Sequence, residues 1–364
     1  MDSSFDLKGF WLENQECFTP FSTNKPRVGF GLGLEDHFLI NFIPMESTIT
    51  YYTDPAFTID IHYKANDILE REIGKRHYPE DNIYYVKGAF EVLMGTKRII
   101  HERNTPWLES EVESIEDVKR LINYAEKWDA KKQSIPDDWR AAKERLKRER
   151  GKHLRYAFGT NGPATLACNM LGTTNLCYFI MDEPEVMDDF FEIMTAKYIE
   201  FYDVITLEDE GVVSKEGMYI NDDDCNLIPP REYERFCAPF LKKLFDKYAP
   251  LPHHKRQQHS DSRMGHLMGI LNDLGVNEVN LGPEIHPLDI RKAMPNAVIC
   301  GHTPPFVLRD GKKEEIIDYV KRNFEMLGAD GGYVECLAGV VPESTPLENM
   351  RTYMHAVHTY TRYR

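Results

Sequence analysis

The stretch QQHSDSRMGH, residues 257–266, places His259 and Asp261 one residue apart after a short strand-like run. At a strand end this spacing sends both side chains to the same side. Imidazole and carboxylate so placed can bind a metal, exchange protons, or hydrogen-bond to each other in a wet loop. Comparable positions recur. Asn161, Asp222 with Asp223, Glu284 with His286, His302, and Glu335 with Cys336 each fall where a strand-like run hands over to a helical one. Asp223 and His302 are candidate proton donors or acceptors. His259, Asp261, Glu284 and Cys336 offer the nitrogen, oxygen and sulfur ligands that zinc accepts. A thiolate at neutral pH needs a neighbouring cation, which a metal would provide. The metal-free alternative is a buried structural thiol at Cys336 and a His259–Asp261 hydrogen bond.

These residues need a scaffold that brings strand ends together. From about residue 154 short strand-like runs (RYAFGTNGP, GMYINDDDC, KRQQHSDS, VNEVNLGPEIH, AVICGHTPP, GYVECLAG) alternate with helical patterns. Strand, turn and helix in repetition predict a parallel sheet. Six such units and an N-terminal part predict an α/β protein, a (β/α)8 TIM barrel with an N-terminal extension. Residues 1–105 would supply the first barrel elements and a helical cap, and 106–364 the remainder of a single barrel. The loops after barrel strands gather on one face, where barrel enzymes keep their active sites.

GFGLGLE, residues 29–35, has Leu34 where a dinucleotide-binding loop needs its last glycine, which weighs against an open doubly wound sheet. DPAFTIDIHYKANDILEREIG predicts an amphipathic helix carrying His62, and WRAAKERLKRER a solvated helix face. His266, inside the next helical segment, and His253 and His254, ahead of the strand, are expected to be structural.

The chain has 364 residues, 42% of them hydrophobic, enough for one large barrel core. A net charge of −15 argues against nucleic acid or an anionic membrane as partner. The first residues lack the basic and apolar regions of an export signal, and no run approaches the roughly 18 apolar residues of a membrane span, so a cytoplasmic protein is expected. Seven scattered cysteines without a CxxC pair read as reduced thiols and exclude a zinc ribbon.

HSDSRMGHLMGILNDLGVNEVNLGPEI, IRKAMPNAVICGHTPP and GGYVECLAGVVPESTPLENMRTYM together resemble the uroporphyrinogen decarboxylase superfamily. MDEPEVMDDFFEIM and INDDDCNLIPPREYERFCAPFLKKLFDK extend the resemblance, which covers roughly residues 85–360. It implies a (β/α)8 barrel. True decarboxylases of that superfamily carry an Arg-rich N-terminal motif that grips substrate carboxylates; the region here reads NKPRVGFGLGLEDHF, with Arg27 alone. The chain is more similar to the zinc methyltransferases that work with corrinoid proteins. Their His-x-Cys, Glu and Cys ligands fall on His259, Asp261, Glu284 and Cys336, with Asp261 in place of a cysteine. That harder ligand set suits an oxygen-bearing substrate.

The resemblance thus implies Zn2+, a methylated small molecule as donor, with a methoxylated aromatic favoured, and the cobalt of a corrinoid (cobalamin) carried by a partner protein as acceptor. Asn161, Tyr85, Phe90, Trp107 and His286 are candidate substrate-binding residues, with core packing the alternative for the aromatic ones. Two rival readings are a metal-free decarboxylase of another small acid and a non-catalytic or folate-linked partner subunit. A homodimer is compatible with the aromatic content.

Overall fold

Eight short strands run parallel and follow one another around the molecule in chain order. They are β1 (Gly29–Phe30), β2 (Asn82–Tyr85), β5 (His153–Tyr156), β6 (Gly217–Asn221), β7 (Lys255–Ser260), β8 (Glu278–Leu281), β9 (Val298–Cys300) and β10 (Tyr333–Glu335). A separate antiparallel hairpin pairs β3 (Lys97–Ile99) with β4 (Trp107–Glu109). The computed structural model describes residues 5–80, 82–85, 89–156, 160–208 and 217–363. Six strands form one sheet in the order β1-β10-β9-β8-β7-β6, and β2 pairs with β5. A parallel bridge from Asn161 to Asn221 ties the segment after β5 to the end of β6. This is the strand sequence of a (β/α)8 barrel; no ladder between β1 and β2 occurs among the described residues.

The connections explain why strand ends and helix starts meet on one face. Helices Pro163–Leu171, Pro287–Ala293 and Pro305–Asp310 each begin on a proline within a few residues of a strand. Proline suits the first helical turn, where its missing N–H is not needed. On the helix-facing side Ile220, Val279, Leu281, Ile299 and Tyr333 are buried. The expected amphipathic helix is Pro55–Ile73, capped by Asp54 and ended by Gly74 at φ 76°. His62 is held inside it, between the Tyr51 hydroxyl at 3.0 Å and the Pro79 carbonyl at 2.7 Å. His266 bonds the Ile228 carbonyl. Both are structural.

Two sequence features take a different place from a ligand role. Arg27 is fully buried and donates to Glu13, Asn14 and the carbonyls of Val28 and Phe10. Its charge is consumed inside the fold. The glycines of GFGLGLE allow close packing: a Cβ on Gly31 would lie 3.3 Å from Cys336 Cβ, and one on Gly33 3.5 Å from Val340. No helix of the described residues is long and apolar enough to cross a membrane.

Glu335 sits on the helix-facing side of β10, with no solvent exposure. Thr303 and Tyr353 donate hydroxyls to Oε1 and Tyr333 donates to Oε2. Burial outweighs these donors and pushes its carboxyl from 4.5 up to about 7. The folded state therefore holds a proton that the unfolded chain releases near 4.5. Stability from this group is complete below pH 4.5 and declines as pH rises towards 7, by about 3 kcal/mol. Glu335→Gln, a permanent neutral form, should flatten that part of the pH–stability profile in urea denaturation between pH 4.5 and 7.5. An unchanged slope would contradict the assignment.

Candidate metal site

Parallel register places Asn221, His259 and Asn280 side by side across β6, β7 and β8. Asn280 determines what His259 can do. Its Nδ2 donates to the carbonyls of Cys300 at 2.6 Å and Leu337 at 2.9 Å. Its Oδ1 must then be the acceptor, and it receives the Gly339 amide at 3.1 Å. His259 Nδ1 lies 2.8 Å from the same oxygen, so Nδ1 carries the hydrogen. In the neutral ring Nε2 is left with its lone pair.

That lone pair faces two carboxylates. Asp261 Oδ1 is 3.4 Å from Nε2 and Asp223 Oδ1 is 3.7 Å away. The Asp261 amide donates to Asp223 Oδ1 at 2.7 Å, which locks the loop after β7 to the loop after β6. Ligand atoms of the three residues all lie within 4.8 Å of one another. The three side chains converge from β7 and the loops after β6 and β7. Ligands at about 2.1 Å from a tetrahedral ion would be about 3.4 Å apart, so the spacing fits a divalent cation. His259 is buried while both aspartates are half exposed, which leaves an open side. Burial raises the Asp261 carboxyl, and the Asp223 carboxylate adds to the rise while His259 opposes it.

The surroundings are acidic and partly aromatic. Tyr219, from β6, lies nearly parallel to the His259 ring at 6.4 Å and is 41% exposed. Burial raises its phenol, and Glu35, Asp223 and Asp261 raise it further. Glu35 precedes helix Asp36–Phe42 and makes no capping bond with its side chain. Behind the site Asp222 is fully buried. It accepts from the Thr165 amide at 2.8 Å, and its own amide donates to the His259 carbonyl. Burial pushes its carboxyl up to about 7.

The structure brings together Asp223, His259 and Asp261, and not the other two residues picked as ligands. Glu284 lies past the end of β8, exposed and in an ion pair with Arg263. Cys336 stands on the far side of Asn280, whose Nδ2 is 3.6 Å from its sulfur. Burial first, then the Glu335 and Glu278 carboxylates, hold that thiol protonated. Asp223, picked as a proton carrier, belongs to the cluster itself. His302 is buried with neither ring nitrogen in a hydrogen bond, and burial lowers its basicity.

Among the candidate substrate residues, Asn161 donates to Glu91 at 2.6 Å. Phe90 is buried among Trp128, Tyr198 and Phe201. Trp107 is exposed on the β3–β4 hairpin, and His286 caps the following helix through the Leu288 amide. Tyr85 ends β2, and its side chain is outside the described residues. Asn280, Tyr219 and Glu35 were not anticipated. Asn280 had a signal available: it sits two residues into a strand whose other residues are apolar or at its edge.

The profile of the uroporphyrinogen decarboxylase (URO-D) family matches residues 89–360. The chain belongs to this family. No curated protein matches its sequence. Among solved structures, a methyltransferase from Methanosarcina mazei is similar over 97% of this chain and 98% of its own, with a TM-score of 0.62 and 16% identity. At that identity the likeness speaks for the fold. Within a URO-D barrel, the Asp223–His259–Asp261 group occupies the C-terminal strand ends, the face used for chemistry.

The tautomer argument makes Asn280 the support of the site. Asn280→Leu would leave two carbonyls and two N–H groups without their partner, at a cost of about 3 kcal/mol. Urea denaturation should show that loss. A change below about 1 kcal/mol would mean that the network is dispensable.

Proposed function

We propose that the chain is a metal-dependent methyltransferase of the URO-D superfamily, moving a methyl group from a methylated small molecule to the cobalt of a corrinoid protein. The observation that carries this reading is the convergence of His259 Nε2 with the Asp223 and Asp261 carboxylates at an open strand-end face. It is supported by the family membership and by the fold shared with a methyltransferase. The charge of the site favours it over decarboxylation of a polyanionic substrate. Such a substrate needs cations, and here the facing groups are carboxylates, Arg27 is buried and Arg263 is paired.

His259, Asp223 and Asp261 would hold the ion, and zinc accepts this donor set. Bound there, a divalent ion supplies Lewis acidity towards an ether or phenol oxygen that must leave as an anion. The protein's own part is positional. Asn280 orients the imidazole, the Asp261 amide bonded to Asp223 sets the distance between the two carboxylates, and Tyr219 offers a flat, half-exposed face beside the ring. An aromatic methyl ether can lie against such a face. The methoxylated aromatic therefore remains the favoured donor, with zinc the favoured ion.

Elemental analysis of the purified protein should find zinc or another divalent metal. His259→Ala and Asp223→Asn should lose it, and Glu284→Gln should keep it. Methylation of cob(I)alamin by a methoxylated benzoate, followed by absorbance, should fall about a hundredfold in the first two variants and stay near wild type in the third. A folded, metal-free wild type that decarboxylates a small acid would put the rival reading in its place.

A further inference from the structure

Asp222 directly precedes Asp223, yet it is fully buried while the Asp223 side chain is half exposed. Burying a carboxyl is costly unless polar partners meet it. Asp222 meets the start of helix Pro163–Leu171. The N-cap of that helix is Gly162, which brings no side chain to the first amides. Asp222 supplies the acceptor from another strand: its Oδ1 takes the Thr165 amide at 2.8 Å. Its Oδ2 takes the hydroxyl of Tyr233, the first residue of the π-helical turn Tyr233–Cys237, at 3.4 Å. Gly162 has to be bare for this contact. A Cβ there would lie 2.4 Å from Asp222 Cγ, although a φ of −73° would suit other residues.

The turn around Asp223 is held from both sides. The Gly162 amide donates to the Asn221 carbonyl, and the Asp224 amide donates to Thr165 Oγ1 at 3.2 Å. The Asp222 amide donates to the His259 carbonyl at 2.9 Å. Both neighbours of Asp223 are therefore tied to helix Pro163–Leu171, and one of them also to the strand of His259. Between them, Asp223 Oδ1 accepts the Asp261 amide and lies 3.7 Å from His259 Nε2.

We infer that Asp222 is a positioning residue for the candidate metal centre: it caps helix Pro163–Leu171 from a neighbouring strand and so fixes the turn that presents Asp223 to His259. The inference rests on the metal reading above and extends it to a residue that touches no ion. What position 222 must provide is an acceptor for the Thr165 amide. Asparagine provides one, and its amide can donate to the Tyr233 oxygen; alanine leaves the Thr165 amide open.

Calorimetric titration of chelator-treated protein with Zn2+ tests this on wild type, Asp222→Ala, Asp222→Asn, Gly162→Ala and Glu335→Ala, with folding checked by circular dichroism and stability by urea denaturation. Asp222→Ala should weaken binding at least about tenfold, and Asp222→Asn less than about threefold. Gly162→Ala keeps the carboxyl but displaces it, and should also weaken binding about tenfold; it decides the matter should Asp222→Ala fail to fold. Glu335→Ala removes an equally buried carboxyl from β10 and should lower stability while changing affinity less than about twofold. Unchanged affinity in folded Asp222→Ala or Gly162→Ala would overturn the inference and leave the metal reading standing. So would an equal loss in Glu335→Ala, which would make the effect one of general destabilisation. Asp222→Asn as weak as Asp222→Ala would overturn it too, since charge and not the cap would then matter. Absence of any binding to wild type would sink both readings.

Discussion

The hydrogen bond between Asn280 and His259 is the constraint from which the rest of the site follows. A primary amide has one acceptor and two donors, and here both donors are spent on backbone carbonyls. The oxygen can therefore turn only towards N–H groups. It takes one from Gly339 and one from His259, and the imidazole is left with its lone pair towards Asp223 and Asp261. The site is thus oriented by β8, one strand away from the histidine. The same amide reaches Cys300 at the end of β9 and the loop after β10 through Leu337 and Gly339, so four consecutive strand ends, β7 to β10, meet at one side chain.

Such an arrangement is costly without a counter-charge. Two carboxylates and an imidazole lone pair within a few ångströms repel one another, more strongly where water is partly excluded. Burial raises the Asp261 carboxyl, and the Asp223 carboxylate adds to the rise against His259. The fully buried carboxyls elsewhere are surrounded by donors: Glu335 receives three hydroxyls, and Asp222 receives an amide and the Tyr233 hydroxyl. The strand-end group has no comparable set of donors among the described residues. Asp223 and Asp261 are instead half exposed beside the buried His259, open to water or to a cation.

The barrel was readable because its signals are repetitive. Alternating runs from RYAFGTNGP to GYVECLAG became β5 to β10. β1 was not readable: two residues, Gly29 and Phe30, sit in a glycine-rich stretch that imitates a cofactor loop. In the site, the His259–Asp261 spacing was a local property and was legible. Glu284 and Cys336 were chosen by their strand-end positions and by the resemblance to a family ligand pattern, and neither encodes distance. Arg263 lies two residues after Asp261 and captures Glu284, while Asn280 stands between Cys336 and the imidazole. Asn280 itself reads as a polar residue inside a strand, and its role appears with the register that sets it beside His259.

Position 261 joins more than one loop. Its backbone amide donates to the Asp223 carboxylate and ties two βα loops together, whatever side chain stands at 261. Asp223 is thereby held near the histidine, 3.7 Å from Nε2. Gly339 must then lack a side chain, because the Asp261 carboxylate occupies the space a Cβ would take. Residue 261 thus connects three loops, those after β6, β7 and β10. Asp223 and Asp261 come from two of them and converge with His259 within 4.8 Å, and the third leaves them room by carrying no side chain at Gly339.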